Sequence, residues 1–283
     1  MDGELFPRTI VGGVSLSRMI IGSNWMLGYS HRSSAADQNI KSYHSDGERA
    51  YEMFCTFLEN GVDTFMSILS QCGHLLDSIK RAEQTVGRKM ILVDTPILNV
   101  DNNEMARQQA RETVRQSKEL GATFCLLHHS CAEQLVCKNT RTIDRLPDYL
   151  SMIREEGMLP GLSAHMPELV IYSDLNEYDV ETYIQLYNCM GFLMQIEVES
   201  VNQIIWNAKK PVMTIKPMAA GRVTPFVGLN FSWATLRPCD MVTIGCMNAW
   251  EAAQDIEISR AYFEGRAPMM EGRASPKKTD IIV

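Results

Sequence analysis

The sequence predicts a single (β/α)₈ (TIM) barrel, and three observations support this fold class. The chain has 283 residues, and such barrels typically occupy about 250 residues. Eight short, nearly continuous apolar runs have the composition of buried parallel strands. Helix-like amphipathic segments separate these runs, so the chain repeats strand–helix units. Eight such units favour a parallel sheet that closes into a barrel.

The N-terminal elements come first in this assignment. Residues 8–17 should form a hairpin that caps the barrel floor, because Gly12 and Gly13 separate two apolar runs. The predicted barrel strands are Arg18–Gly22, Thr64–Ile68, Met90–Asp94, Thr123–His128, Leu159–Ser163, Phe192–Glu197, Val212–Lys216 and Met241–Gly245.

Three helices are predicted where an amphipathic segment ends directly before a glycine, a common helix stop. They are Glu48–Asn60, Glu104–Leu120 and Asp144–Glu156. Residues 28–47 follow the first strand and should cover the C-terminal mouth, where barrel active sites lie. We expect one domain over residues 1–283, with residues 265–283 as a surface tail.

Composition excludes several classes of partner. The net charge is −7 and no segment forms a basic stripe, which argues against nucleic acid. The apolar runs are far shorter than the roughly 20 residues that span a bilayer. The eight cysteines contain no CxxC pair, which is typical of reduced thiols in a cytoplasmic protein. We expect a cytoplasmic protein with a small-molecule substrate, and a homo-oligomer is left open.

Several short motifs occur in the order and spacing of one barrel family. On these motifs, which span residues 8–262, the chain resembles the aldo-keto reductases. The motifs are Arg8-Thr9-Ile10 with Val14–Gly22, Gly61-Val62-Asp63-Thr64, Leu126-Leu127-His128, Gly161–His165, Gln195-Ile196-Glu197 and Lys216–Gly221. The resemblance implies a catalytic Asp63 on the second strand and a catalytic His128 on the fourth. It also implies that Ser163 and Gln195 face the cofactor position.

Other residues on which that family depends are absent. The stretch 65–69 has no Tyr to donate a proton to a carbonyl oxygen, and 93–96 has no Lys to lower the pKa of such a Tyr. Ala164 replaces the Asn that would hold the nicotinamide amide, and Val198 replaces the aromatic residue that would stack on it. NAD(P) is therefore not expected as a cofactor. The chain resembles a poorly characterised branch near this family.

Polar residues at the C-terminal ends of strands three to seven should ring the mouth. They are Asp94, His128 or His129, His165, Glu197 and Lys216. Imidazole and carboxylate groups bind divalent metals, which makes His165, Glu197, His128 and Asp94 candidate ligands. Without a metal, an acid–base site would use His165, His128, Glu197, Lys216 and Asp63.

His165 and Glu197 are predicted to share one site, because both would end neighbouring parallel strands about 4.8 Å apart. His128 is the better candidate of the two adjacent histidines, since only one ring should face inward. Structural roles are the alternatives: a loop hydrogen bond for His165, an ion pair with Glu197 or Glu199 for Lys216, and a strand-end role for Asp63.

The loop after the first strand combines aromatic and polar groups that suit a sugar-like substrate, although an ordinary surface loop has the same composition. Its candidate substrate-binding residues, together with Gln195, are Asn24, Trp25, Tyr29, His31, Arg32 and His44.

Three hypotheses of function follow. The first is a lyase, isomerase or hydrolase that acts on a small polar carbonyl or sugar-like substrate by acid–base or metal-assisted chemistry. The second is a divergent NAD(P)-dependent oxidoreductase. The third is a non-catalytic binding or regulatory barrel.

Overall fold

A computed structural model, which describes residues 5–269, shows a closed barrel of eight parallel strands preceded by an antiparallel hairpin. The prediction of a (β/α)₈ barrel with an N-terminal hairpin is confirmed. The hairpin pairs β1 (Arg8–Val11) with β2 (Val14–Ser17), and a second small hairpin pairs β7 (Val136–Cys137) with β8 (Thr142–Ile143). The barrel strands are β3 (Met19–Gly22), β4 (Thr64–Ser67), β5 (Ile91–Asp94), β6 (Phe124–Leu127), β9 (Leu159–Ala164), β10 (Thr182–Leu186), β11 (Val212–Ile215) and β12 (Met241–Ile244).

Helices surround the barrel and follow its strands. They are α1 (Asn24–Leu27), α2 (Ser34–Tyr43), α3 (Glu48–Glu59), α4 (Gly73–Val86), α5 (Glu104–Glu119), α6 (His129–Ala132), α7 (Leu146–Glu155), α8 (Glu168–Leu175), α9 (Val198–Asn207), α10 (Pro225–Thr235) and α11 (Ala249–Phe263). The three helices predicted from their glycine stops correspond to α3, α5 and α7. Within residues 5–269, no helix is both long and apolar enough to cross a membrane.

The hairpin closes the N-terminal end of the barrel, as predicted. Its Val11 and Leu16 join an apolar cluster inside the barrel with residues such as Ile20, Phe124 and Met213. Arg8 of the hairpin forms an ion pair of 2.8 Å with Asp63, which directly precedes β4. The lower barrel is therefore filled with side chains.

The sixth strand was predicted at the wrong place. It is β10 (Thr182–Leu186), all of whose residues are buried, and not Phe192–Glu197. The polar residues that disguise it are satisfied inside the protein: Thr182 Oγ1 donates to Pro211 O at 2.8 Å, and the Tyr183 hydroxyl donates to Asp174 at 2.6 Å. Residues 192–197 are instead a loop that leads into α9.

Residues 28–47 divide between the mouth and the outer layer. Tyr29, His31 and Arg32 line the cavity at the mouth, whereas residues 34–43 form α2. The predicted tail is described only up to residue 269, and its remaining residues lie outside the described part of the chain.

Candidate functional site

A cavity of about 900 Å³ opens at the C-terminal ends of the barrel strands. Its walls come from strand ends and from the loops that follow them, which is where barrel enzymes hold their substrates. The polar and aromatic lining includes Asn24, Trp25, Tyr29, His31, Arg32, His128, His129, Ser163, His165, Lys216, Arg222, Thr243, Glu251, Gln254 and Asp255.

Three histidines form a contiguous cluster on one wall. The rings of His129 and His165 stack with centroids 3.7 Å apart and planes 16° apart, and the rings of His128 and His129 are 4.2 Å apart. Backbone contacts fix the cluster, because Glu133 Oε1 accepts hydrogen bonds from the amides of His165 and Met166 at 2.7 and 2.8 Å.

Both adjacent histidines line the cavity, so the prediction that only one ring faces inward was wrong. The strand ends at Leu127 and His129 begins α6, so strand alternation does not apply to them. Burial lowers the pKa of His128 to about 4 and, with help from the neighbouring positive charges, that of His165 to about 3. These imidazoles are therefore neutral at pH 7 and add no charge to the wall.

Lys216 is the central basic group of the cavity. It follows β11 directly, and its Nζ lies 2.8 Å from His31 Nε2. Burial lowers the pKa of Lys216 to about 8. Burial and the nearby Lys216 also lower the pKa of His31, so its Nε2 can accept a hydrogen bond from the ammonium. Among residues 5–269, no carboxylate forms an ion pair with Lys216, and the pairs with Glu197 or Glu199 considered from the sequence are not formed.

The backbone around Lys216 is unusual. Its φ of 62° lies in the left-handed region, and so do the φ values of Ala219 (49°) and Ala220 (56°). A non-glycine residue there costs of order 1–3 kcal/mol, and such strain concentrates at functional sites. Arg222 ends this loop and reaches across the mouth, with Nη2 3.4 Å from His31 O and its guanidinium 4.1 Å from the centre of the Phe192 ring.

An acidic arm of the cavity, formed by Trp25, Glu251, Gln254 and Asp255, lies beside the end of β12. Asp255 is only 2 % exposed, and one of its oxygens lies 3.5 Å from Cys246 Sγ. Burial raises the pKa of Asp255 to about 7. The indole of Trp25 lies directly on the backbone of Gly245, where a Cβ would come within 2.8 Å of its Cδ1.

Two carboxylates predicted for the mouth lie elsewhere. Asp63 is at the N-terminal end of β4, where it pairs with Arg8, so its structural alternative is the one that the geometry favours. Asp94 faces the helical layer: its Oδ1 accepts from Leu69 N at 2.8 Å, and it also contacts Ser117. Since Asp63 precedes its strand and Asp94 faces away from the mouth, neither lines the cavity.

The predicted pairing of His165 with Glu197 rested on the misplaced sixth strand. His165 lines the cavity with Ser163, as the strand alternation from Ser163 required. Glu197 is the exposed residue that precedes α9, and Gln195 is exposed in the same loop. Val198 lies in α9, so it gives no information about a ring stacked on nicotinamide. His44 is buried, 5.1 Å from the Tyr43 ring, and does not line the cavity.

The residues at the mouth do not fit the predicted metal centre. Among residues 5–269, no three His, Cys, Asp or Glu side chains are arranged to hold a metal ion. Two of the four proposed ligands, Asp94 and Glu197, are turned away from the cavity or lie outside it.

Sequence reasoning missed Arg222, Thr243, Glu251, Gln254 and Asp255 as cavity residues. For Asp255 a signal existed, because it lies on the same stripe of α11 as Ala252, Ile256 and Ser259, all of them buried. A carboxylate on the buried stripe of a helix is rare without a specific role. Arg222 had no such signal, since only the three-dimensional course of its loop brings it to the mouth.

Comparison with known proteins identifies the fold and nothing finer. No family model and no curated protein matches the chain. Among solved structures, a proposed aldo-keto reductase from Pseudomonas aeruginosa has a TM-score of 0.66 at 14 % identity, over 93 % of this chain and 98 % of that chain. The glycerol dehydrogenase of Gluconobacter oxydans has a TM-score of 0.60 at 12 % identity, over 95 % and 99 % of the two chains.

An archaeal ribulose-1,5-bisphosphate carboxylase/oxygenase has a TM-score of 0.54 at 10 % identity, over 92 % of this chain and 61 % of that chain. The chain thus has an aldo-keto reductase-like (β/α)₈ fold. Because these identities are so low, the comparison does not extend to an activity.

Proposed function

We propose that this barrel is an enzyme that acts on a small carbonyl compound through an imine with Lys216, as a lyase or isomerase. The observation that carries the proposal is the environment of Lys216. Its amine lies in the mouth, has no carboxylate partner among residues 5–269, and has its pKa lowered to about 8. A desolvated lysine next to other cationic or basic groups is an activated nucleophile for carbonyl substrates.

The chemistry requires the neutral amine. Nζ bonds to the carbonyl carbon, and the carbonyl oxygen leaves as water with the two protons that Nζ loses. One further proton on the imine nitrogen gives an iminium, which withdraws electrons from a neighbouring C–H or C–C bond. Loss of a proton from the neighbouring carbon, or cleavage of the C–C bond with release of a carbonyl fragment, leaves an enamine. A proton returned to that carbon gives the iminium again, and water hydrolyses it to release the product and restore the amine.

The neighbouring side chains suit this sequence of steps. His31 Nε2, at 2.8 Å from Nζ, can take a proton from the attacking nitrogen. The rings of His128 and His165 are neutral at pH 7, so they add no positive charge beside Lys216. Arg32 and Arg222 at the rim favour a substrate that also carries a carboxylate or phosphate.

Borohydride trapping tests the proposal directly. The protein is incubated with pyruvate, glyoxylate, glyceraldehyde or dihydroxyacetone, reduced with borohydride, and weighed by intact mass spectrometry. We expect a one-to-one adduct with at least one compound in the wild type and none with Lys216→Met. Lys210→Met is the matched control, because Lys210 is exposed at the other end of β11 and pairs with Glu181. Adducts that form equally in all three proteins would disprove the proposal.

The second candidate function is a divergent NAD(P)-dependent oxidoreductase. The cavity volume of about 900 Å³ favours it, because a cavity of that size is large enough for a dinucleotide. Against it, the nicotinamide-binding Asn of the family is replaced by Ala164. Calorimetry with NADPH separates the two candidates: we expect no micromolar binding, and micromolar binding would move the oxidoreductase to first place.

A further inference from the structure

The acidic arm of the cavity contains a buried carboxylate oxygen that the fold leaves without a partner among residues 5–269. Asp255 Oδ1 is buried and has no hydrogen-bond partner among residues 5–269, although Asp255 lines the cavity. Its other carboxylate oxygen accepts a weak bond from Cys246, whose thiol is fully buried and remains protonated because burial raises its pKa. One strong acceptor therefore has no partner within the fold.

The charge of the arm has no partner either. Glu251 is exposed and uses one oxygen to accept from Met247 N at 2.8 Å, whereas Asp255 is buried and forms no ion pair within residues 5–269. A buried carboxylate is costly unless a positive group or a proton balances it. Lys216, the central basic group of the cavity, makes its hydrogen bond to His31 and none to the arm.

We propose that the acidic arm is a binding site for the ammonium group of a small molecule. An ammonium donates hydrogen bonds to Asp255 Oδ1 and to the free oxygen of Glu251, and it balances their charge. Trp25 lines the same cavity, and an indole ring attracts a cation that reaches its face. With no group of three metal-ligating side chains within residues 5–269, an organic cation suits the arm better than a metal ion.

The consequence is a cavity with two poles. A molecule bound with its amine in the acidic arm presents its other end to the basic pole of Lys216, Arg32 and Arg222. The expected ligand therefore has an amine at one end and an anionic or carbonyl group at the other.

Saturation-transfer NMR at pH 8 with ethanolamine as the probe and glycerol as its uncharged counterpart tests this site. We expect ethanolamine to bind the wild type and glycerol not to bind. Asp255→Asn should weaken ethanolamine binding about tenfold or more, the usual effect of losing a charge-assisted hydrogen bond. Glu112→Gln, which removes an exposed carboxylate from α5, is the matched control and should bind as the wild type does.

The two proposals fail separately: loss of the adduct in Lys216→Met tests the imine, whereas ethanolamine binding that depends on Asp255 tests the acidic arm. If Asp255→Asn does not fold by circular dichroism, Glu251→Gln decides, with an expected loss in the same direction. Equal binding of glycerol would show a hydroxyl site and overturn the proposal. Unchanged ethanolamine binding in the folded Asp255 variant, or in Glu251→Gln where that variant decides, would overturn it as well.

Discussion

Replacement of His31 by Glu should return the pKa of Lys216 to its ordinary range. The imidazole Nε2 lies 2.8 Å from Nζ, so the Glu carboxylate would lie beside the ammonium. Opposite charges about 4 Å apart at an effective dielectric constant of about 20 attract by about 4 kcal/mol, or about 3 pKa units. Solvent at the mouth reduces this value, and we therefore expect the pKa to rise from about 8 to near 10.

The change in pKa has a large effect on the neutral amine. At pH 7.5, a pKa of about 8 leaves about a quarter of Lys216 neutral, whereas a pKa of about 10 leaves about three parts in a thousand. The ratio is roughly 80-fold. A less basic amine is also a weaker nucleophile, so the fall in reactivity should be smaller than this ratio but at least about tenfold.

Competitive acetylation at a series of pH values, read by peptide mass spectrometry, measures this pKa without a known substrate. The reactivity of Lys216 should rise with a midpoint near pH 8 in the wild type and near pH 10 in His31→Glu. His31→Gln keeps a neutral acceptor near the same place and is the matched control, with a midpoint close to that of the wild type. A wild-type midpoint at or above pH 10, or no shift in His31→Glu, would refute the reasoning.

Three further predictions concern the scaffold. The pKa of Asp255 is raised from 3.8 to about 7, so the folded state holds this proton more tightly, and the free energy of unfolding should fall by up to about 4 kcal/mol as the pH rises from about 4 to 7. In urea titrations at pH 5 and 8, Asp255→Asn should lack this fall. An equal fall in the wild type and in Asp255→Asn would contradict the prediction. Gly161→Ala places a Cβ 2.6 Å from a neighbouring carbonyl oxygen and should cost about 1–3 kcal/mol, whereas Gly73→Ala, with nothing within 4 Å, should be neutral or stabilising in the same denaturation assay. Asp63→Asn breaks the ion pair with Arg8, so the urea midpoint should fall while the yield of the borohydride-trapped adduct stays unchanged. Loss of that adduct in a folded Asp63→Asn variant would instead support a catalytic role for Asp63.

The barrel could be predicted because its strands are apolar and repeat with helices between them. The exception is β10, which is fully buried although it contains the polar residues Thr182, Tyr183 and Gln185. Because of these residues, its sequence lacks the continuous apolar run that is typical of a buried strand. Residues 192–197 are more apolar than a typical loop, and this drew the assignment towards them. The error of one strand then displaced Glu197 and Gln195 from the site.

The site was predictable where a residue continues its strand. His165 follows β9 with the same alternation as Ser163, and Lys216 directly follows β11, so both were placed at the mouth from the sequence. Asp255 was missed because it reaches the cavity from a helix. The contact between His31 and Lys216 could not be predicted, since it joins residues 185 positions apart through the course of two loops.

Peptide mapping after borohydride reduction tests the central claim most directly, because it locates the reacting amine. With a carbonyl compound that gives an adduct, the claim predicts that the modification lies on Lys216, well in excess of the exposed Lys209 and Lys210. An adduct distributed over the lysines according to their exposure, with Lys216 among the least modified, would contradict it.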